Sequence, residues 1–134
     1  RHVTGDVDIV ARIASVQYVS AWSKAGVMVR ESLGASSRHA SVFVTPAKGI
    51  AFQRRLESSG ISTSTAVAGE APRWVKLTRR GAIFTGYSSV DGVTWTQVAS
   101  DTVPMASDVY VGLAVTSHSS GVLCRAAFDG VTIR

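Results

Sequence analysis

The sequence predicts an all-β fold, a two-sheet antiparallel β-sandwich, on three observations. Apolar and polar residues alternate in short segments, the period-2 pattern of half-buried strands. Turn residues interrupt those segments about every 8–12 residues, as in sandwiches and barrels. No stretch sustains the i, i+3, i+4, i+7 apolar stripe of a helix. Val, Ala, Ser and Thr dominate and Leu is scarce, a balance that fits a pleated, half-buried surface.

The strands follow in order. Segment 5–16 sets Val7, Ile9, Ala11 and Ile13 on one face, and 25–33 does the same with Ala25, Val27 and Val29. Segments 38–45 and 50–57 form a hairpin about Pro46 and Gly49, where proline fixes φ and glycine accepts a positive one. A short polar strand is expected near 62–68, then strands at 73–79 and 82–88. Asp91-Gly92 predicts a tight hairpin turn into 94–99. Segments 109–116 and 123–133 complete about ten strands, the last bent at Asp129-Gly130.

At 134 residues the chain is long enough for one domain with its own core. It shows no signal peptide at its start and reads as a single domain, 1–134, excised from a larger protein. No apolar run approaches the ~20 residues of a membrane helix, so membrane insertion is not expected. The one cysteine, Cys124, allows no internal disulfide and, within an expected strand, reads as a small buried hydrophobe. The net charge is +5, but the cations are scattered, with no basic tract and no aromatic nucleic-acid signature. Nucleic acid is therefore not the expected partner. If the charge serves binding, it favours an acidic polysaccharide over a neutral one.

Several stretches, in order along nearly the whole chain, carry a resemblance. They include GDVDI at 5–9, AWSKAGVMVRESL at 21–33, SRHA at 37–40, GIAFQRR at 49–55, WVKL at 74–77, SVDGVTW at 89–95 and YVGLAVTSH at 110–118. The chain resembles bacterial domains of the concanavalin-A-like lectin/glucanase superfamily, small modules joined to secreted carbohydrate-active or surface proteins. The resemblance implies a jelly-roll sandwich with a glycan on its concave face, a covalently linked catalytic domain, and a secreted or cell-surface location. It implies neither a particular sugar nor a fixed set of binding residues.

Catalysis on such a sandwich would need two carboxylates facing each other across a cleft, one as acid and one as nucleophile or base. Glu31, Glu57 and Glu70 stand alone in the sequence, and no nucleophile elbow accompanies His2, His39 or His118. A non-catalytic carbohydrate-binding module is the expectation, with a structural or protein-interaction spacer as the alternative. If Val27, Val42 and Phe52 face the core, alternation turns Arg30, His39, Ser41, Phe43, Gln53 and Arg55 outward. That row is either a glycan platform or the wet side of a sandwich. Trp22, in an expected loop, is the best stacking residue, so the candidate ligand-binding set is Trp22, Arg30, His39, Gln53 and Arg55. Trp74 and Trp95 are better explained by cross-strand packing. Asp6, Asp8 and Asp129 offer oxygen ligands suited to a structural Ca²⁺ if the terminal strands pair.

Overall fold

A computed structural model describes all 134 residues. The chain forms eleven strands and no helix: β1 His2–Thr4, β2 Val7–Val16, β3 Lys24–Arg30, β4 His39–Val44, β5 Ile50–Arg55, β6 Ser62–Val67, β7 Arg73–Arg80, β8 Ile83–Ser89, β9 Thr96–Thr102, β10 Asp108–Thr116 and β11 Ala126–Ile133. They build two antiparallel sheets, one ordered β1-β10-β3-β4-β5-β6 and the other β11-β2-β7-β8-β9. The all-β two-sheet sandwich read from the alternation is the observed architecture.

The inward side chains are those the period-2 pattern selects. Val7, Ile9, Ala11 and Ile13 of β2 and Val75 and Leu77 of β7 face Val27 and Val29, Val42 and Val44, and Ile50 and Phe52 of the other sheet. Most of these are wholly removed from solvent, each contributing about 1.5–3 kcal/mol by leaving water. Gly86 of β8 lies where the sheets approach closely. A Cβ there would stand 2.7 Å from the Phe52 ring and 2.7 Å from a Val42 methyl.

The strand pattern departs from expectation where tertiary partners decide. The first expected strand, 5–16, is β2, and a strand outside the expected set precedes it: Gly5, at φ +83°, separates the two, and β1 pairs with β10 in the opposite sheet. Asp91-Gly92 is not a two-residue turn but part of a loop from β8 to β9. The Asp91 carboxylate accepts the backbone N–H groups of Val93 and Thr94 at 2.8 and 2.9 Å, and these bonds hold its pKa below the usual carboxylate value. Cys124 lies outside β11, only half-buried, its thiol 3.5 Å from the Gln17 carbonyl oxygen; loop contacts replace the strand expected there. At Asp129-Gly130 the expected bend is an interruption of register with β2 between Asp129 and Thr132. A Cβ on Gly130 would meet the Trp74 ring at 2.5 Å, so the indole lies directly against that backbone.

Candidate functional site

The site lies on the outer face of the six-stranded sheet, where β4 behaves unlike an ordinary outer strand. Its inward residues Ala40, Val42 and Val44 belong to the core, but its outward residues are buried too: His39 is 8% exposed, Ser41 0% and Phe43 3%. A flat, solvated sheet face would leave such alternate residues wet. Here they floor a depression of about 440 Å³. Lys24, Met28 and Arg30 of β3 line one side of the floor and Gln53 of β5 the other. Ser62, Thr63 and Ser64 of β6 form one wall, and Ala114 to Thr116 of β10 the opposite wall. A second hollow of about 300 Å³ lies toward β1, bordered by Arg1, Leu33 and Tyr110; it shares Met28 and Arg30 with the first. The two form neighbouring compartments on one face.

The registers explain the assembly. Arg30, His39 and Arg55 are cross-strand partners in one row, and Met28, Ser41 and Gln53 in another. Residues directly opposite in an antiparallel pair point to the same face. The Lys24 ammonium passes the Phe43 ring, 5.5 Å from its centroid, and donates to Gln53 Oε1 at 3.1 Å. The Arg30 guanidinium donates to the carbonyls of Ser32 and Gly34 at 3.2 and 2.6 Å. Arg55 donates to the carbonyls of Gly60, Ala35 and Ser37, fixing two loops at the end of the site.

All these acceptors are neutral. The four ion pairs of the chain are Arg12–Asp129, Arg38–Glu31, Arg54–Asp101 and Arg80–Asp8. Lys24, Arg30 and Arg55 take part in none, and no carboxylate lines the depression. Burial holds the Lys24 pKa below its ordinary value. Burial and then the neighbouring Arg55 do the same for Arg30. His39 lies beneath them, its pKa pushed down to about 4 by burial, then by Arg30, Arg55 and Lys24. The imidazole is thus neutral at pH 7. Its Nε2 lies 3.5 Å from Ser62 Oγ, and its buried Nδ1 has no partner.

Of the sequence-derived set, the structure brings Arg30, His39 and Gln53 together, with Arg55 beside them as a brace and a charge. Trp22 is elsewhere. It lies half-buried in the β2–β3 turn, where Ser23 Oγ donates to the Ser117 carbonyl at 2.9 Å, and it does not line the depression. Trp95 packs on the far sheet, its ring 4.5 Å from the Lys76 ammonium, which also lies 4.6 Å from the Tyr87 ring.

The three aspartates do not converge. The terminal strands β2 and β11 do pair, but in a register that sets Asp129 opposite Arg12, four residues or about 13 Å along β2 from Asp8. Asp129 pairs with Arg12 at 3.0 Å, Asp8 with Arg80 at 2.7 Å, and Asp6 accepts the Gly81 N–H at 2.8 Å. No group of three or more His, Cys, Asp or Glu side chains gathers anywhere in the chain.

Sequence reasoning missed Lys24, the Ser62–Ser64 wall and the β10 wall. Lys24 shares the parity of Met28 and Arg30, which was a usable signal. The walls depend on long-range pairings that no local pattern encodes.

No family model matches the chain, and no curated protein sequence does. Solved structures do. A functionally unknown protein from Saccharomyces cerevisiae superposes with a TM-score of 0.74 at 18% identity, over 100% of this chain and 71% of that one. The GH43 protein BlXynB from Bacillus licheniformis superposes with a TM-score of 0.69 at 15% identity, over 96% of this chain. A point mutant of it gives 0.67. The chain spans 27% of the length of BlXynB. At these identities the likenesses establish the shared β-sandwich fold.

Proposed function

We propose that the chain is a non-catalytic carbohydrate-binding module of the concanavalin-A-like kind, secreted or displayed at a cell surface. It would attach a covalently linked catalytic domain to polysaccharide through the depression on the six-stranded sheet. The observation that carries this reading is the buried outer face of β4. A shaped hollow with an apolar patch at Met28 and Ala114, a fixed amide at Gln53 and hydroxyls at Ser62, Thr63 and Ser64 is what a sugar ring requires: few oriented polar groups around an apolar patch. The fold likeness to a GH43 protein, of which a sandwich like this one makes up about a quarter, supports a carbohydrate-related context. A hydrolase of the two-carboxylate type would need an acid and a base beside the sugar, and the lining supplies neither. Affinity at one such shallow site would be weak, with avidity supplied by the parent chain.

One observation favours a spacer or protein-interaction domain instead. Leu113 and Val115 point to the core side of β10, opposite Val27 and Ala25, yet are 43% and 41% exposed. A polysaccharide array probed with wild type and Ser64→Trp separates the readings. Binding by wild type, abolished when tryptophan fills the depression and retained in Trp95→Ala, supports the glycan module. Silence from folded protein turns the assignment to the spacer.

A further inference from the structure

We infer that the depression is built for an acidic polysaccharide, with the ligand's carboxylates seated between the Lys24 ammonium and the Arg30 guanidinium above His39. The inference rests on the glycan-binding reading and names its substrate class.

The chain has nine carboxylate side chains, and those that form ion pairs do so with Arg12, Arg38, Arg54 and Arg80. The three cations around the depression are left with neutral acceptors: carbonyl and amide oxygens, and the Met28 sulfur for Arg30. Those acceptors satisfy hydrogen-bonding geometry but leave the charge uncompensated. Gathering like charges in a half-buried hollow destabilises the free protein, since each raises the cost of ionising its neighbours. Acidic groups along the hollow would compensate Lys24 and Arg30, the two cations that line it. Perturbed ionisable groups clustered in a cleft are the expected mark of a ligand site. The unpartnered, buried Nδ1 of His39 is a further sign that the free site is electrostatically incomplete.

The shape selects a sugar polymer over a nucleic acid. Single strands of nucleic acid are held by bases stacked on exposed aromatic rings. The aromatic rings in this lining offer no open face: Phe43 is 3% exposed with Lys24 beside it, and the His39 imidazole 8% exposed. The hydroxyl wall of Ser62, Thr63 and Ser64 matches sugar hydroxyls. Because Arg30 borders both hollows, a chain threading from β6 toward β1 would present successive acidic groups to the same guanidinium. This geometry suits an internal stretch of polymer.

The test uses matched pairs of polymers that differ only in charge: polygalacturonate, alginate and glucuronoxylan, each beside its carboxyl-reduced counterpart. Affinity electrophoresis and calorimetry should show binding to at least one acidic member, at least about tenfold tighter than to its reduced partner. That binding should weaken roughly tenfold from 50 to 200 mM salt, through release of counterions. Lys24→Met keeps the aliphatic stem over Phe43 and should lose most of the discrimination; Arg30→Gln is the second variant. Equal binding of acidic and reduced partners overturns this inference and leaves the glycan-binding reading standing. Absence of binding to either member of every pair defeats both. Equal competition by a single-stranded DNA oligonucleotide overturns the sugar assignment in favour of a general polyanion groove.

Discussion

The Lys24 ammonium lies 5.5 Å from the centre of the Phe43 ring, and its one polar acceptor in the protein is Gln53 Oε1. A lysine in that position is partly desolvated, which lowers its pKa, with only the ring and one amide in return. Removing its charge should therefore not weaken the fold. Lys24→Met is expected to leave the thermal midpoint unchanged or to raise it by up to about 3 °C, while lowering affinity for an acidic polymer. A fall of several degrees would mean that the ammonium contributes to stability through the ring and the amide.

Gly86 sets the spacing of the two sheets at the centre of the sandwich. Gly86→Ala would place a methyl 2.7 Å from both the Phe52 ring and Val42, and both neighbours are fully buried with nowhere to move. Overpacking of this kind costs about 1–3 kcal/mol. Urea unfolding should report that loss with an unchanged m-value. A neutral result would show that the sheets can part by a few tenths of an ångström without penalty.

The core was legible from alternation alone because burial on one face of a strand leaves a period of two in the sequence. Val27, Val42 and Phe52 were placed correctly, and so were Arg30, His39, Gln53 and Arg55 on the opposite face. Trp22 was assigned to the site on its chemistry, but a side chain in a turn has no alternation to fix its direction, and Ser23 and Ser117 hold that turn away from the depression. The calcium set could not be judged from spacing. Whether Asp8 meets Asp129 depends on the β2–β11 register, and a shift of four residues separates them. The Ser62–Ser64 wall reads in the sequence as an ordinary polar edge strand, and only its pairing with β5 makes it part of a site.

The pair Arg54–Asp101 joins β5 in one sheet to β9 in the other at 2.9 Å, with the arginine also donating to Thr65 Oγ1 at 2.8 Å. Its side chains are 14% and 31% exposed, so the pair is screened less than a surface bridge. A double-mutant cycle with Arg54→Met and Asp101→Asn should give a coupling of about 1 kcal/mol, toward the upper end for ion pairs that are not fully buried. That coupling should persist in 0.5 M salt. A coupling near zero would assign the closure of this edge to apolar packing alone.

His39 gives the fold a pH dependence that can be traced to one side chain. Its environment consists of Arg30 and Lys24 from β3, Arg55 from β5 and Ser62 from β6, with no carboxylate facing it, and its pKa falls to about 4. The unfolded chain, with an ordinary histidine near 6.5, binds a proton between those two values that the folded protein does not. Stability is therefore full above about pH 6.5, declines as the pH falls through that interval, and loses no more to this group below pH 4. At pH 4.5 the loss is about 2–3 kcal/mol, from roughly two units of unmatched protonation. The His39→Gln variant lacks the titration, so the difference in unfolding free energy between wild type and variant should shift by that amount between pH 7.5 and 4.5. Carboxylates common to both proteins cancel in the comparison. A carboxylate bound above the imidazole would favour its protonated form, so an acidic polymer should bind more tightly at pH 5 than at pH 7, with proton uptake that His39→Gln abolishes. Parallel stability curves for the two proteins would show that His39 titrates normally and that the cations above it exert no effective field.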